Sequence, residues 1–312
     1  MDKNAKIYVA GHAGMVGSAI VRCLKEQGYV NIIGKTIEEL DLTRQEHVEA
    51  FFRKEKPEYV FLVAANVGGI EENRNYPAKH LIDNIYIEFN VIQSAFLSGC
   101  KKLLFISSNC MYPAEAELPI KESSILSGRL DENWEAYGLA KIAGVKLCEY
   151  YAKQYGVNYF SVIPCNLYGI NDCYDPKNSH VIAAMIRRFH EAKLNNAESV
   201  EIWGDGTALR ELLFADDLAE ACVFLIDNYK GDEFLNIAPG NEMSIRDIAY
   251  VIKETVGYNG KVVFNADKPG GIHRKNMSCE KIKALGWSAK TNFKDGVQKA
   301  YEFYKNTYVR RG

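Results

Sequence analysis

Tyr137 and Lys141 are the two residues whose types and spacing first indicate chemistry. They lie four residues apart in Tyr-Gly-Leu-Ala-Lys, a spacing that places both on one face of a helix. A nearby ammonium favours a phenolate, so we expect Lys141 to lower the pKa of Tyr137 from its ordinary value of about 10. A tyrosine tuned in this way can exchange a proton with a carbinol or carbonyl oxygen. The spacing alone is not specific, because Tyr301 and Lys305 repeat it.

Two serines distinguish the first Tyr–Lys pair from the second. Ser107 and Ser108 end the apolar run 102–108, which has the composition of a buried strand. Hydroxyls at the carboxyl end of a parallel strand face the crevice where α/β proteins bind ligands. Either serine by itself would equally suit strand-end capping. Together with Tyr137 and Lys141, however, a serine here predicts a site that transfers hydride to or from a nicotinamide.

A glycine-rich turn gives that nicotinamide a place to bind. Glycines 11, 14 and 17 follow the first apolar strand and precede the first helical segment. Glycines allow a tight turn and a close approach of backbone to ligand, and a helix N-terminus offers free N–H groups to a pyrophosphate. The trio would be weak at an arbitrary position, but the first strand–helix junction is where the motif belongs. The cofactor contacts predicted on this turn are Gly11, His12, Gly14, Met15, Val16 and Gly17.

The end of the second strand predicts which dinucleotide binds. NAD-binding chains usually have an acidic residue there for the ribose 2′-hydroxyl, whereas this chain has Lys35. A cation suits a 2′-phosphate, so NADPH is the predicted cofactor, although a solvated surface lysine is the alternative. Asp41 and Leu42 are expected near the adenine. Ala64 and Ala65, which close the third strand, are expected beside the cofactor because small residues let the backbone come close.

The elements that must position these residues alternate along the first half of the chain. Apolar β-rich runs are separated by segments of helical period, which predicts βαβ units around a buried parallel sheet. The predicted strands are 6–10, 31–35, 59–65, 102–108 and 158–165. The predicted helices between them are 15–27, 44–55, 78–98 and 135–154. The fold class is therefore α/β, a Rossmann-like doubly wound sheet that carries a smaller α/β unit.

The second half has shorter strands and more frequent glycine, proline and asparagine. Helices are predicted at 179–194, 216–228, 244–256 and 293–307, and short strands at 199–203, 234–237 and 261–264. Turns are predicted at 204–206, 238–241 and 268–271. We expect residues 1–165 to form the dinucleotide-binding domain, with returning segments from about 210–240. Residues 166–312 are expected to form most of a substrate-binding domain.

Composition argues against several classes of protein. The net charge is −2, with the basic residues scattered, so nothing resembles a nucleic-acid or anionic-membrane footprint. No apolar run reaches the roughly 18–20 residues that span a bilayer. The eight cysteines show no C-x-x-C pair and no metal-ligand spacing, so no metal site is expected. We expect a cytoplasmic protein with reduced thiols.

The glycine trio, the strand-end serine and the Y-x-x-x-K pattern resemble the extended short-chain dehydrogenase/reductase family. Longer stretches carry the resemblance along nearly the whole chain, and the stretch at 166–192 is the most specific. They lie at 10–20, 67–78, 110–113, 137–151, 166–192, 203–212, 268–275 and 285–287. The resemblance implies an NADPH-dependent enzyme that epimerises a GDP-linked 4-keto-6-deoxy sugar at C3 and C5 and then reduces the C4 ketone.

The resemblance also implies a role for individual side chains. Ser108 and Tyr137 would hold the ketone oxygen, and Tyr137 would protonate it. Lys141 would tune Tyr137 and bind the nicotinamide ribose. Cys110 and His180 would be the base and acid of the epimerisation, Cys110 being two residues past Ser108, the period that returns a strand side chain to the same side. Further cofactor contacts are implied at Pro164, Asn166, Leu167, Tyr137, Lys141 and His180, and substrate contacts at Ser108, Asn109, Asn166, Arg188, Trp203, Arg210 and Lys275.

Other functions stay open at this stage. Ala13 stands where the family usually has arginine, which removes one candidate contact to the 2′-phosphate. Asn66, Asn109 and Cys165 also depart from the family pattern, near the expected sugar pocket, so a dideoxyhexose or a heptose could be the sugar. A reductase without epimerase activity is the closest alternative. A dehydratase would need an acidic residue beside Ser108, where this chain has Asn109 and Cys110, which argues against that activity. A non-catalytic NADP-binding regulator would not need Ser108, Tyr137 and Lys141 together, so their presence argues against that class. The helices at 78–98 and 135–154 resemble those of a four-helix dimer interface, which predicts a homodimer.

Overall fold

A six-stranded parallel sheet forms the centre of the computed structural model, which describes residues 1–176, 179–268 and 272–309. The strands in chain order are β1 (Ile7–Ala10), β2 (Ile32–Ile33), β3 (Tyr59–Leu62), β4 (Lys102–Ile106), β5 (Asn158–Pro164), β6 (Asn166–Tyr168), β7 (Ser199–Trp203), β8 (Leu209–Arg210), β9 (Leu212–Phe214), β10 (Leu235–Ile237), β11 (Met243–Ser244) and β12 (Lys261–Asn265). The central sheet has the order β10-β5-β4-β3-β1-β2. Its order reverses beside β1, as in doubly wound sheets.

Helices follow the strands and cover the sheet. They are α1 (Met15–Glu26), α2 (Gln45–Glu55), α3 (Ile70–Asn75), α4 (Pro77–Leu97), α5 (Glu135–Tyr155), α6 (Val181–Leu194), α7 (Ala215–Asn228), α8 (Ile245–Val256), α9 (Glu280–Ala284) and α10 (Phe293–Tyr304). Helix α1 packs against α7, whereas α4 packs against α2 and α5. Two separate helix layers therefore enclose the sheet. This explains why β1, β3 and β4 are nearly continuous apolar runs with buried side chains.

A second hydrophobic core lies outside the central sheet. It gathers apolar side chains from α6, α8 and α10, with Val200 and Ile202 of β7. Strands β7 and β12 pair in parallel, as do β6 and β9, while β8 and β11 pair antiparallel. This core is expected for a smaller α/β unit built from the second half of the chain.

The predicted fold class is confirmed, and the differences lie in the short elements. Strand β10, predicted among the strands of the second half, pairs with β5 and extends the central sheet. Short elements that the sequence analysis did not predict are α3, α9, β6, β8, β9 and β11. The turn predicted at 268–271 is described only at Lys268, and Asn178 before His180 also lies outside the described residues. Among the described helices, none is long and apolar enough to cross a membrane.

Candidate active site

A cavity of about 1580 Å³ opens at the carboxyl edge of the central sheet. The segments that follow β1, β3, β4 and β5 form its walls, and Arg210 and Lys275 of the second half border it. Parallel strands bring their carboxyl ends to one edge, so residues far apart in the chain meet here. The cavity is therefore where the predicted site residues can be tested against geometry.

The glycine turn has the shape that a pyrophosphate requires. A Cβ on Gly17 would lie 2.0 Å from the carbonyl oxygen of Gly11, so only glycine allows the start of α1 to pack on the turn. Helix α8 has a side-chain cap from Ser244, whereas α1 begins after Gly14 with no side-chain cap. Its first-turn residues line the cavity, where their N–H groups and the helix dipole favour an anion.

Most of the predicted cofactor contacts line this cavity. They are Gly11, Gly14, Met15, Val16, Gly17, Lys35, Asp41, Leu42, Ala64, Ala65, Tyr137, Lys141, Pro164, Asn166, Leu167 and His180. His12 is not among the lining residues, because its ring packs into the space left by the missing side chain of Gly34, and its contact with a cofactor stays a prediction. The Nζ of Lys35 lies 2.9 Å from Oε1 of Glu39. A cation is thus present at the mouth of the predicted 2′-phosphate position, paired with an exposed carboxylate.

Ser108 leads out of β4 into a single 3-10 turn at Asn109–Met111. Its Oγ accepts a hydrogen bond from the backbone N–H of Cys110 at 3.3 Å. The extended-strand period expected to bring Ser108 and Cys110 to the same side is therefore wrong, because β4 ends at Ile106. The turn nevertheless brings both residues, together with Ser107 and Asn109, to the cavity wall.

Tyr137 and Lys141 lie on α5 and border the same wall, but their electrostatics differ from the prediction. Tyr137 is 6 % exposed, and burial raises its pKa well above the ordinary value, with the charges of Cys110 and Glu88 adding to the effect. The Nζ of Lys141 lies 5.4 Å from the centre of the Tyr137 ring and 2.9 Å from Oε1 of Glu88. The expected lowering of the Tyr137 pKa is therefore not found, because burial dominates and Lys141 is paired with an anion.

Cys110 lies beside a cation. Burial raises the pKa of the Cys110 thiol, while a hydrogen bond from Ser108 and the charge of Lys275 act in the opposite direction. The Nζ of Lys275 donates to the carbonyl oxygen of Asn109 at 2.9 Å. Burial lowers the pKa of Lys275, and the charges of Cys110 and Asp131 oppose this effect. A thiolate at Cys110 would therefore have a counter-charge in place.

His180 lies at the N-terminal end of α6, exposed and on the cavity wall. The buried Asp172 interacts with His180 through its charge. Burial raises the pKa of Asp172, and the charge of His180 acts to lower it. The backbone N–H of Cys173 donates to Oδ1 of Asp172 at 2.8 Å and fixes this carboxyl. Cys110 and His180, the predicted base and acid, thus both border one cavity.

The predicted substrate contacts divide into two groups. Ser108, Asn109, Asn166, Arg210 and Lys275 line the cavity. Arg188 and Trp203 are not among the described residues that line it, and their assignment to substrate binding stays a prediction. Arg188 donates to the carbonyl oxygen of Glu201, which holds it on the neighbouring strand. Trp203 is 55 % exposed on β7, with the Nζ of Lys268 6.0 Å from its ring centre.

Several residues of the cavity wall were missed by the sequence analysis. They are polar or aromatic side chains on loops and on the first two turns of α4: Lys79, Asp83, Asp131, Asn133, Trp134, Asn171, Asp172 and Cys173. Asp131 and Trp134 could have been suspected, because they directly precede the helix that carries Tyr137. The others have no local signal. Within the described ranges, no cluster of His, Cys, Asp and Glu could hold a metal ion.

Comparison with known proteins identifies the class. The family model described as the NAD dependent epimerase/dehydratase family matches residues 7–238, so the chain belongs to that family. A GDP-L-fucose synthase of Arabidopsis thaliana is 52 % identical over 99 % of this chain and 96 % of its own length. The GDP-L-fucose synthase of Escherichia coli strain K12 is 43 % identical over 96 % of both chains.

Solved structures of enzymes with NADP bound are also similar to this chain. A GDP-L-fucose synthetase from Naegleria fowleri bound to NADP has a TM-score of 0.92 at 26 % identity, covering 99 % of this chain and 95 % of that one. A GDP-mannoheptose C4 reductase from Campylobacter jejuni with NADP bound has a TM-score of 0.90 at 40 % identity, covering 98 % and 99 %. Both of these solved structures are named for enzymes of GDP-linked sugars.

Proposed function

We propose that this chain is an NADPH-dependent epimerase-reductase that converts a GDP-4-keto-6-deoxy-mannose into GDP-L-fucose. The observation that carries the proposal is the meeting of Ser108, Cys110, Tyr137, Lys141 and His180 on the wall of one cavity, next to a glycine turn. The identity of 52 % to a GDP-L-fucose synthase over nearly the full length supports the choice of sugar.

Reduction needs a proton donor that is still protonated when the ketone arrives. NADPH supplies the hydride to C4 when it is bound. Tyr137 donates the proton to the C4 oxygen, and Ser108 holds that oxygen by a hydrogen bond. The raised pKa of Tyr137 keeps its hydroxyl protonated across the physiological range, as a donor requires. The net change is one ketone and one NADPH, with one proton, to one alcohol and one NADP⁺.

The C4 ketone acidifies the hydrogens at C3 and C5. Epimerisation therefore needs a base that removes one of these protons and an acid that returns a proton to the carbon. Cys110 as thiolate removes a proton from carbon, and the resulting enolate oxygen lies against Ser108 and Tyr137. His180 returns a proton from the opposite face and inverts the centre. The cation of Lys275 beside Cys110 favours the thiolate, and Asp172 orients His180.

The cofactor side of the cavity fits a dinucleotide phosphate. The uncapped start of α1 and the close contact of Gly17 with Gly11 leave room and N–H groups for a pyrophosphate. Lys35 meets the 2′-phosphate, displacing Glu39, and this favours NADPH over NADH. The dinucleotide-binding domain comprises residues 1–165 with returning segments from 210–240, and the remainder binds the sugar nucleotide.

The chain works in the cytoplasm as a homodimer built on α4 and α5. Ile82, Tyr86 and Phe89 follow helical spacing on α4 and are exposed apolar residues. Leu139 and Tyr150 of the neighbouring α5 are exposed as well, so the pair of helices presents an apolar surface of the kind that dimers bury. Sedimentation velocity tests this assignment: a monomer at micromolar concentration would refute it.

The function is tested with purified protein, NADPH and GDP-4-keto-6-deoxy-mannose in heavy water. We expect oxidation of NADPH, followed by its absorbance, and GDP-L-fucose carrying deuterium at C3 and C5, identified by NMR. A product reduced at C4 without deuterium at either carbon would exclude the epimerase activity and favour a C4 reductase. A panel of GDP-linked keto-heptoses and keto-dideoxyhexoses provides the control. Faster turnover of one of these would refute the assignment of GDP-4-keto-6-deoxy-mannose as the substrate.

A further inference from the structure

A fully buried ion pair lies behind the Tyr137 wall of the cavity. The Nζ of Lys141 on α5 is 2.9 Å from Oε1 of Glu88 on α4, and the two side chains are 1 % and 0 % exposed. Within the described residues, neither the ammonium nor the two carboxylate oxygens have another hydrogen-bond partner. Since an isolated charge is costly to bury, each of these two charges depends on the other.

The surroundings of the pair are specific to it. A Cβ on Gly144 would lie 2.3 Å from Oε2 of Glu88, so this glycine makes room for the carboxylate between the two helices. The ring of Phe105 closes the other side, its centre 4.7 Å from the Nζ of Lys141. The pair therefore lies in a dry pocket between α4, α5 and β4, with Lys141 itself at the cavity wall.

The titratable groups that face Glu88 are few. Burial raises the pKa of Glu88 to about 7, although Lys141 acts to lower it. The negative charge of Glu88 in turn raises the pKa of Tyr137 and that of Cys148 on the same helix. Glu149 also acts on Cys148 but pairs with Lys146 at 2.9 Å. Glu88 thus acts both on Lys141, as its ion-pair partner, and on Tyr137, whose pKa it raises together with Cys110.

We propose that Glu88 is a positioning residue of the reductase site, which holds Lys141 charged and oriented behind Tyr137. This inference rests on the proposed function. When Tyr137 gives up its proton, the phenolate needs the Lys141 cation nearby, and that cation needs a counter-charge in its dry pocket. Without Glu88 the ammonium has no partner in the dry pocket and leaves its position. The carboxylate also keeps Tyr137 protonated in the resting site.

Glu88→Gln tests the proposal because it removes the charge and keeps the shape. We expect the alkaline limb of the kcat profile for reduction to move to lower pH by about one unit, which is about tenfold in rate at a fixed alkaline pH, with KM changed less. The shift has this sign because the charge of Glu88 raises the Tyr137 pKa, so without it Tyr137 loses its proton more readily. Glu149→Gln is the matched control. It removes the buried carboxylate that pairs with Lys146, and its alkaline limb should lie at the same pH as in the wild type. An unmoved limb in Glu88→Gln overturns the proposal.

A second measurement does not need turnover. In thermal unfolding of the cofactor-free protein, we expect Glu88→Gln and Lys141→Met each to lower the midpoint and the double variant to regain most of the loss, because it buries no unpaired charge. Additive losses would mean that the two side chains do not act as a pair, and would overturn the proposal. If the wild-type protein reduces no keto sugar, the proposed function is wrong. The unfolding measurements would still decide whether Glu88 and Lys141 act as a pair.

The double variant also covers the case in which Glu88→Gln alone does not fold. In a Lys141→Met background Glu88 no longer has an ammonium to hold, so the further change Glu88→Gln removes only its direct effect on the Tyr137 pKa and should cost clearly less than the tenfold effect expected in wild type. A full further tenfold loss in that background would show that Glu88 does not act through Lys141 and would overturn the proposal. NADPH titrations by fluorescence at each pH separate weaker cofactor binding from a slower chemical step.

Discussion

Removal of one hydroxyl, in Tyr137→Phe, is the sharpest test of the reductase site. The ring stays in its pocket between α5 and the turn after β4, so the change removes a proton donor and little packing. Tyr137 is 6 % exposed, which leaves little room for a water molecule to take over as donor. We therefore expect a loss of kcat rather than a rise of KM.

The size of that loss follows from the role. General acid catalysis contributes roughly 10²–10⁴-fold, or about 2.7–5.5 kcal/mol of transition-state free energy. Because the site is buried, we expect a loss near the middle of this range, about 10³-fold, in the reduction of an already epimerised ketone. The assay is single-turnover oxidation of bound NADPH, followed by its absorbance, so that product release does not mask the chemical step.

Tyr301→Phe is the matched control. Tyr301 also precedes a lysine by four residues and is also buried, but its hydroxyl bonds to His190 at 2.9 Å in the second core, away from the cavity. The control should lower the melting temperature and leave the rate of reduction unchanged. A loss in Tyr137→Phe of less than about tenfold, or an equal loss in both variants, would refute the assignment of Tyr137 as proton donor.

Three further predictions follow from the same cavity. Cys110→Ser should abolish deuterium uptake from heavy water, because serine is a far weaker base, and should spare reduction of the epimerised ketone; equal losses in the two NMR-monitored steps would contradict separate roles. Lys275→Met removes the charge that opposes the burial-raised pKa of Cys110, so the rising limb of the exchange rate should move to higher pH, and an unshifted limb would exclude this influence. Lys35→Ala should weaken NADPH binding about tenfold, the value of a charge-assisted hydrogen bond, without affecting NADH, as measured by fluorescence titration; equal weakening of both cofactors would show that Lys35 does not meet the 2′-phosphate.

The fold was predictable where the chain carries long periodic signals. Buried strands such as β1 and β4 are continuous apolar runs, and the helices after them keep a helical period, so both were found within a few residues. Strands β8 and β11 are two residues each and exist only because they pair with one another, which no local pattern reveals. The edge position of β10 depends on the return of the chain after α7, which is a tertiary property.

The site was predictable where a motif fixes residues on one element. The glycine turn and the pair on α5 have local spacing, and both line the cavity. Arg188 and Trp203 lie outside the lining of the cavity, because a helix and a strand each offer several faces and sequence spacing does not determine which one borders the cavity. Glu88 and Asp172 were missed for the opposite reason. Each is defined by a partner on another element, and an isolated acidic residue in a helix or loop gives no signal of such a partner.

The two reactions make opposite demands on protons, and the charges around the cavity are arranged accordingly. In the proposed mechanism Cys110 is the base of the epimerisation and must lose its proton, and the cation of Lys275 acts to lower its pKa. Tyr137 is the acid of the reduction and must keep its proton, and the anion of Glu88 acts to raise its pKa. Burial raises both pKa values, and the two neighbouring charges of opposite sign then separate them, which is how a single site can assign an acid and a base. Replacing Lys275 by an acidic residue should slow epimerisation more than reduction. Replacing Glu88 by a basic residue should slow reduction more than epimerisation.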